Sequence, residues 1–242
     1  MIKKLYHQIL RVVLRLVGLD FSWYRTFHFR VIYALSIVEP LIQATRPRSR
    51  VEEILGGPEV LRCVTPGDTV LDLGANVGNI TSLLLGMGLT VHAFEPDSRC
   101  VALLRRRFKL FARERLHIHQ IAVSNEPGMV KLHYGLLTTE SNSILTEKPG
   151  ADGSAGAEFV EARSILDILD SIGYVPLIKM DIEGAEYDVL EVLLRPENLT
   201  KFGVCLVEDH AKKIPSLMPR QMQLEETIVS LGLTDRVLLT WH

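Results

Sequence analysis

The stretch Thr69-Val70-Leu71-Asp72-Leu73-Gly74-Ala75-Asn76-Val77-Gly78-Asn79 decides the fold. A short apolar run ends at an acid and breaks into Gly-Ala-Asn-x-Gly, which reads as a buried parallel strand turning tightly into a helix. Gly74 lets the backbone turn and approach a ligand with no Cβ in the way, and Gly78 lets the following helix start close to the strand. The first amides of that helix carry a partial positive charge and suit a carboxylate or phosphate. Asp72, at the strand's carboxyl end, is placed to accept a hydrogen bond from the same ligand.

Downstream, the same alternation repeats. Asn79 to Met87 reads as a helix ending at Gly88, and Thr90 to Phe94 as a second buried strand that terminates in Glu95-Pro96-Asp97. Val101 to Ala112 reads as a basic amphipathic helix, and Leu116 to Val123 as a third strand with Ser124-Asn125 just beyond it. Met129 to Tyr134 is a further strand, Thr138 to Gly156 a polar loop able to cover a site, and Glu158 to Ala162 a segment that pairs at a sheet edge. Ser164 caps a helix running to Gly173. Pro176 to Met180 is an apolar strand that runs into Asp181-Ile182-Glu183-Gly184-Ala185-Glu186, with a helix over 185–194. Phe202 to Val207 is another buried strand, ending in Glu208-Asp209-His210, followed by a helix from Met222 to Leu231 and a strand from Arg236 to Leu239. Upstream, Val51 to Val64 reads as a helix or helical turn capping the sheet, and Pro66-Gly67-Asp68 as a turn into the first strand. Such alternation calls for an α/β fold, a mostly parallel sheet with helices on both faces.

The 242 residues, 47% of them apolar, allow one sizeable core and an appendage. Cys63, Cys100 and Cys205 are odd in number and far apart, so neither a disulfide framework nor a zinc site is indicated, and a reducing, cytoplasmic compartment is expected. The net charge of −2 is unevenly spread: residues 1–50 carry nine Lys/Arg against Asp20 and Glu39, so the basic arm precedes an acidic body. The domain boundary is placed at residue 50, after the Pro and Arg-rich segment at 45–50, with the body at 51–242. Residues 1–19 read as an amphipathic helix, since Arg11 and Arg15 interrupt both a membrane span and a signal-peptide core. Such an arm packs on the domain or a second subunit as a homo-oligomer contact, or lies peripherally on a membrane surface.

In an open α/β sheet, ligands bind beyond the carboxyl ends of the strands where strand order reverses. Asp72 and Gly74, Glu95, Ser124 and Asn125, Asp181 and Glu183, and Glu208 and His210 all fall at such ends and converge on one crevice. Gly74 and Glu95 are 21 residues apart, one strand-turn-helix-strand unit, so Glu95 is placed to hold the two ribose hydroxyls of a nucleoside lying on the Gly turn. A dinucleotide site prefers G-x-G-x-x-G, whose middle Gly admits the pyrophosphate. Here Asn76 takes that place in a D-x-G-x-x-x-G pattern, which favours S-adenosyl-L-methionine. An NAD-linked oxidoreductase is the alternative within enzymes, and a non-catalytic scaffold of the same fold the alternative outside them.

Asp72-Leu73-Gly74-Ala75-Asn76-Val77-Gly78, Phe94-Glu95-Pro96 and Lys179-Met180-Asp181-Ile182-Glu183-Gly184-Ala185-Glu186 together resemble the FkbM-type family of S-adenosylmethionine-dependent methyltransferases. The resemblance covers about residues 60–210, and the Lys-x-Asp-Ile-Glu-Gly-Ala-Glu string is its most characteristic part. It implies a Rossmann-like seven-stranded methyltransferase sheet, with the last strand usually antiparallel, and methylation of a hydroxyl oxygen on a small molecule, sugar or glycan. Carried over by position, Asp72, Gly74, Asn76, Gly78, Glu95 and Asp97 line the cofactor site, with Ala75, Asn79, Pro96 and Ser124 beside them and Asp181 next to the methyl group. The Ser141-Asn142-Ser143 segment resembles the family's serine-containing stretch.

A sugar hydroxyl loses its proton as the new bond forms, so a nearby base is expected. The order of preference is Asp181, then Glu183, then His210. Glu183 has a competing structural reading as the cap of the next helix, Glu186 reads as an exposed first-turn acid, and Lys179 as a partner for a neighbouring acid. His117 and His119 share a strand face without a third ligand, so they read as structural and no metal is expected. Arg105-Arg106-Arg107 reads as a solvated helix surface and not as a nucleic-acid contact.

Overall fold

The computed structural model describes residues 54, 55, 57, 60, 62–109, 114–134, 143 and 156–241; the basic arm at 1–50 lies outside them. Strands β1 (Thr69–Leu73) and β2 (Thr90–Phe94) flank helix α1 (Asn79–Gly86), and α2 (Ser98–Arg107) leads to β3 (Leu116–His119). Three strands follow: β4 (Ala122–Ser124), β5 (Gly128–His133) and β6 (Ala157–Ser164). Helix α3 (Ile165–Ile172), β7 (Val175–Met180), α4 (Glu186–Leu193), β8 (Phe202–Glu208), α5 (Met218–Ser230) and β9 (Val237–Trp241) complete the order.

Six strands form one sheet in the order β3-β2-β1-β7-β8-β9, and every neighbouring pair in it is parallel. The chain winds outward from β1 to β3 on one side and from β7 to β9 on the other. Strand order therefore reverses between β1 and β7, and a crevice opens above their carboxyl ends. The α/β class with a mostly parallel sheet matches the reading of the sequence. The strand count differs from seven: among the described residues six strands make the main sheet, and β4-β6-β5 make a second one. β9 also runs parallel, because α5 carries the chain across a sheet face between β8 and β9.

Two further local differences have simple causes. The expected strand Leu116 to Val123 is cut at Gln120-Ile121, and its second half leaves the main sheet to pair with β6. The segment at 158–162 is consequently not an edge but the middle of the small sheet, paired with β4 on one side and antiparallel β5 on the other. Helices α2 and α5 begin three and four residues earlier than apolar periodicity suggests. Asp97 caps α2 through the Arg99 amide at 2.8 Å, and Pro215 opens the short 3-10 turn that leads into α5.

Alternation along the central strands sorts side chains to the two faces. Leu71, Leu73, Ile178 and Met180 pack with α4 residues Val189 and Leu190, while Val70, Val91 and Leu177 pack with α1 residues Leu83 and Leu84. Leu55, Val60 and Val64 of the expected 51–64 element pack on this second face. Asp72 and Lys179 stand on it too, directly opposite each other in the β1–β7 register. Both side chains are buried, and the Lys179 ammonium lies 3.2 Å from the Asp72 carboxylate.

Lys179 also donates to the Gly74 carbonyl at 2.8 Å, and Thr81 on α1 donates to Asp72 at 2.6 Å. This buried cluster ties β1, β7, α1 and the Gly turn together. Replacing Lys179 by Met leaves Asp72 buried without its counter-charge and is expected to cost about 3–5 kcal/mol of unfolding free energy. The double variant Asp72→Asn/Lys179→Met is expected to regain a substantial part of that in urea unfolding. A loss below about 1 kcal/mol, the size of a surface pair, contradicts this role.

Candidate active site

The Gly turn is shaped by close approach. Gly74 has φ +75°, and a Cβ there would lie 1.7 Å from the Asp181 carbonyl oxygen, so only glycine lets the loops after β1 and β7 meet. The amides of Gly74 and Ala75 both donate to the Phe94 carbonyl, joining the turn to the end of β2. Asn76 is left-handed at φ +49° and donates its amide to Glu95 at 2.8 Å. Gly78 serves a different neighbour from the one expected: a Cβ there would strike Leu104 and Phe108 at 2.6 and 2.7 Å, so it makes room for α2 and the residue after it.

Above the switch lies a cavity of about 360 Å³. Gly74, Ala75, Asn76, Asn79, Glu95, Pro96, Asp181 and Glu183 line it, among the candidates read from the sequence. Phe94, Ile121, Val123 and Leu132 give it an apolar wall, and Ser143, Lys179, Glu208 and Lys213 add polar groups. Glu95 and Asp181 follow β2 and β7, two strand spacings apart, which is about 10 Å. The Glu95 carboxylate is fixed from behind, one oxygen accepting from Asn76 and the other from the Asp97 amide at 2.9 Å. Burial pushes its pKa up to about 7, and the two amides oppose the rise.

Four of the cofactor candidates, and the candidate base His210, do not line the cavity. Asp72 is held in the buried pair with Lys179, Asp97 caps α2 and pairs with Arg99, and Gly78 packs on α2. Ser124 turns its hydroxyl to the Glu126 carbonyl. These residues shape the walls from behind. Burial alone would lower the Lys179 pKa, but Asp72 and Asp181 more than offset it and hold it above the usual lysine value.

At the other end Asp181, Glu183, Glu186 and Glu208 surround His210, which is wholly buried. Its Nε2 lies 2.9 Å from Glu183 and its Nδ1 3.0 Å from Glu186. Burial alone would lower the imidazole pKa, but Glu183 and Glu186 raise it to about 10. A ring held protonated by these carboxylates has no lone pair to accept a proton, which keeps His210 behind Asp181 and Glu183 as a candidate base. Burial pushes Asp181 up to about 6, with Lys179 opposing and Glu208 and Glu183 adding to the rise.

Glu186 is a correction to the exposed first-turn reading. It is 1% exposed and accepts the Ile182 amide at 2.9 Å and the Gly184 amide at 2.8 Å, so it closes the loop that Glu183 was expected to cap. Glu183 instead stands at φ +60° and faces His210, while its carbonyl accepts the Ser143 hydroxyl at 2.6 Å. Ser141 and Asn142 lie outside the described residues. Arg107 is buried, unlike Arg105 and Arg106, and donates to the Val77 carbonyl at 2.6 Å, bracing the Gly turn. Its signal was its apolar-face position on α2, hidden within a run of three arginines.

A six-stranded parallel sheet whose switch point carries a Gly turn and a carboxylate on the next strand end defines a Rossmann-like nucleoside-cofactor protein. Residues 72–223 match the Methyltransferase FkbM domain, and the chain belongs to this family. Its cofactor is accordingly S-adenosyl-L-methionine. No curated protein is recognisably similar in sequence. Among solved structures, the fibrillarin pre-rRNA processing protein of Methanococcus jannaschii shares 16% identity at a TM-score of 0.39, over 69% of this chain and 56% of its own. YjhP from E. coli shares 16% at 0.25, over 74% and 86%. A SAM-dependent methyltransferase from Thiobacillus denitrificans in complex with S-adenosyl-L-homocysteine shares 12% at 0.25, over 75% and 86%. At these scores the likenesses add nothing to the family match.

The residues present fit the cofactor: an apolar wall beside a carboxylate already anchored by two amides suits an adenosine, and the cavity continues to the Asp181 end. If Glu95 holds the ribose, it can accept from both hydroxyls only when ionised, so binding would release a proton below its free-state pKa of about 7. Affinity for S-adenosylhomocysteine is expected to fall about tenfold per pH unit below 7 and to level off above it. Glu95→Gln is expected to weaken binding about 10- to 100-fold at pH 8, the loss of charge-assisted hydrogen bonds, and to flatten the pH profile. Calorimetry between pH 5.5 and 8.5 reads both, and a wild-type affinity independent of pH contradicts the assignment.

Proposed function

We propose that the protein transfers a methyl group from S-adenosylmethionine to a hydroxyl oxygen of a small molecule, sugar or glycan. The observation that carries this reading is the position of Asp181: it lines the cavity immediately after β7, together with Glu183 and Glu208, on a strand two spacings from the one that carries Glu95. When bound, the cofactor supplies an electrophilic methyl group in a displacement that discharges the sulfonium. The chain's own contribution is to hold the acceptor in line, to exclude water and to accept the hydroxyl proton.

Asp181 is the first choice for that proton because it lines the cavity and borders both Lys179 and His210, at 3.8 Å each. Those cations steady its ionised form while its burial keeps it basic. Glu183 is the second choice, held closer to His210. Glu208, Lys213 and Ser143 supply polar contacts that suit a polyhydroxylated acceptor, and the apolar wall beneath them suits the face of a sugar ring.

The basic arm at 1–50 is proposed to hold the protein peripherally on an anionic membrane surface or to join two copies of it, with the body in the cytoplasm. Among the described residues no helix is long and apolar enough to cross a membrane. Deleting residues 1–45 is expected to leave S-adenosylhomocysteine affinity intact while changing vesicle binding or oligomeric mass; loss of cofactor binding contradicts the boundary at residue 50.

Asp181→Asn is expected to lower the methyl-transfer rate by about 10²- to 10⁴-fold. S-adenosylhomocysteine affinity should stay within a few-fold. The measurement is a mass-spectrometric screen of hydroxylated acceptors for a gain of one methylene unit. Transfer to an amine or thiol in place of a hydroxyl, or an Asp181→Asn rate equal to wild type, overturns the reading.

A further inference from the structure

The groups around His210 resemble a ligand set more closely than a salt-bridge network. Asp181, Glu183 and His210 can each present one ligand atom with all three atoms within 4.8 Å of one another, and among the described residues no other group of His, Cys, Asp and Glu does so. Ligands of one ion bonded at about 2.0–2.2 Å stand roughly 3–4.2 Å apart, so a contraction of less than about 1 Å closes the set. Glu208 Oε1, at 3.7 Å from Nε2, offers a fourth position.

Three buried atoms on two side chains point to what is missing from a pure ion-pair account. His210 is 0% exposed, yet neither ring nitrogen has an acceptor in hydrogen-bond alignment, although carboxylates lie at 2.9 and 3.0 Å. Asp181 Oδ1 is likewise buried without a hydrogen-bond donor, and it is the oxygen that faces Nε2. Three carboxylates thus radiate around Nε2, with Lys213 on Glu208 and Lys179 on Asp181 as the flanking cations. Lys179 is shared with Asp72, which leaves the cluster rich in negative charge.

Behind the ring, Glu186 occupies the outer position. Its Oε1 lies 3.0 Å from Nδ1, and two backbone amides hold it in place. A metal-bound histidine commonly gives its second ring N–H to a carboxylate so placed; Glu186 is within reach of that role, and the ring needs only to turn into alignment as Nε2 takes the metal. Asp181, Glu183 and Glu208 also line the cavity, so an ion held there keeps open positions toward the acceptor end.

We propose that Asp181, Glu183 and His210 form a divalent-cation site, with Glu208 as a further ligand and Glu186 as the outer carboxylate of His210. One imidazole nitrogen with carboxylate oxygens suits Mn²⁺, Co²⁺ or Zn²⁺ and discriminates against Ca²⁺, which prefers oxygen alone. The expectation of no metal looked for ligands along one strand; these come from the ends of β7 and β8, which only the sheet register brings together. A cation there takes the place of the imidazolium proton, binds the acceptor oxygen and lowers its pKa, and in that loaded state Asp181 acts as a ligand and not as the proton acceptor. That consequence rests on the hydroxyl-methylation reading, whereas the site itself does not.

The test is therefore made without cofactor or acceptor. The full-length chain is titrated with MnCl₂ and free Mn²⁺ is followed by its electron paramagnetic resonance signal, with MgCl₂ and CaCl₂ as competitors. One site per chain is expected, weakened at least tenfold in Glu183→Gln and about 10- to 100-fold in Glu186→Gln, with Ca²⁺ a poor competitor. Because His210→Gln disturbs a buried cluster, an anomalous-scattering map of wild-type crystals grown with MnCl₂ places the ion independently, with a peak beside His210 Nε2. Absence of Mn²⁺, Co²⁺ and Zn²⁺ binding by the wild type, or binding that Glu183→Gln leaves unchanged, overturns the proposal. Metal binding without hydroxyl methylation would overturn only the function.

Discussion

The buried pair between Asp72 and Lys179 is the constraint on which the site depends. It spans the two central strands where winding reverses, and the same ammonium holds the Gly74 carbonyl. Asp72 in turn anchors Thr81 at the start of α1, so one charge pair sets the spacing of β1, β7 and the helix that forms the cavity floor. Removing one partner of such a pair strands a charge in a low-dielectric interior, which is why its value lies more in geometry than in net stability. The 1.7 Å clearance at Gly74 is the steric counterpart: the loops after β1 and β7 touch only because no Cβ stands between them.

Charge is divided along the crevice. At the β2 end a lone carboxylate, Glu95, is desolvated and held by amides, which leaves it near neutrality in its titration at physiological pH. At the β7 and β8 ends four carboxylates gather around His210, with Lys213 at the rim. The first arrangement suits the hydroxyls of a nucleoside; the second is proposed to handle a proton or a cation. Phe94, Ile121, Val123 and Leu132 give the same cavity an apolar wall.

Much of this was legible in the sequence because it is local. The run from Thr69 to Asn79 shows a strand, a turn and a helix start in eleven residues, and the offset of Glu95 follows from one βαβ unit. What was not legible depends on long-range packing. Glu186 reads as a surface acid until the loop from Ile182 to Gly184 folds back onto it, and Arg107 is indistinguishable from its exposed neighbours until α2 docks on Val77. Gly78 was read as room for its own helix to start close to the strand, whereas the neighbour it makes room for is α2, 20 or more residues away. The departure of β4 into a second sheet is a tertiary choice made by β6, and no periodicity in residues 116–123 announces it.

The crevice between the ends of β1 and β7 is proposed to hold the cofactor, and a crystal structure of the chain with S-adenosylhomocysteine tests this. Density for the ligand is expected in the cavity bounded by Glu95 and Asp181, with Glu95 in contact with its ribose. Density lodged elsewhere, or a ligand in the cavity that leaves Glu95 untouched, would contradict it.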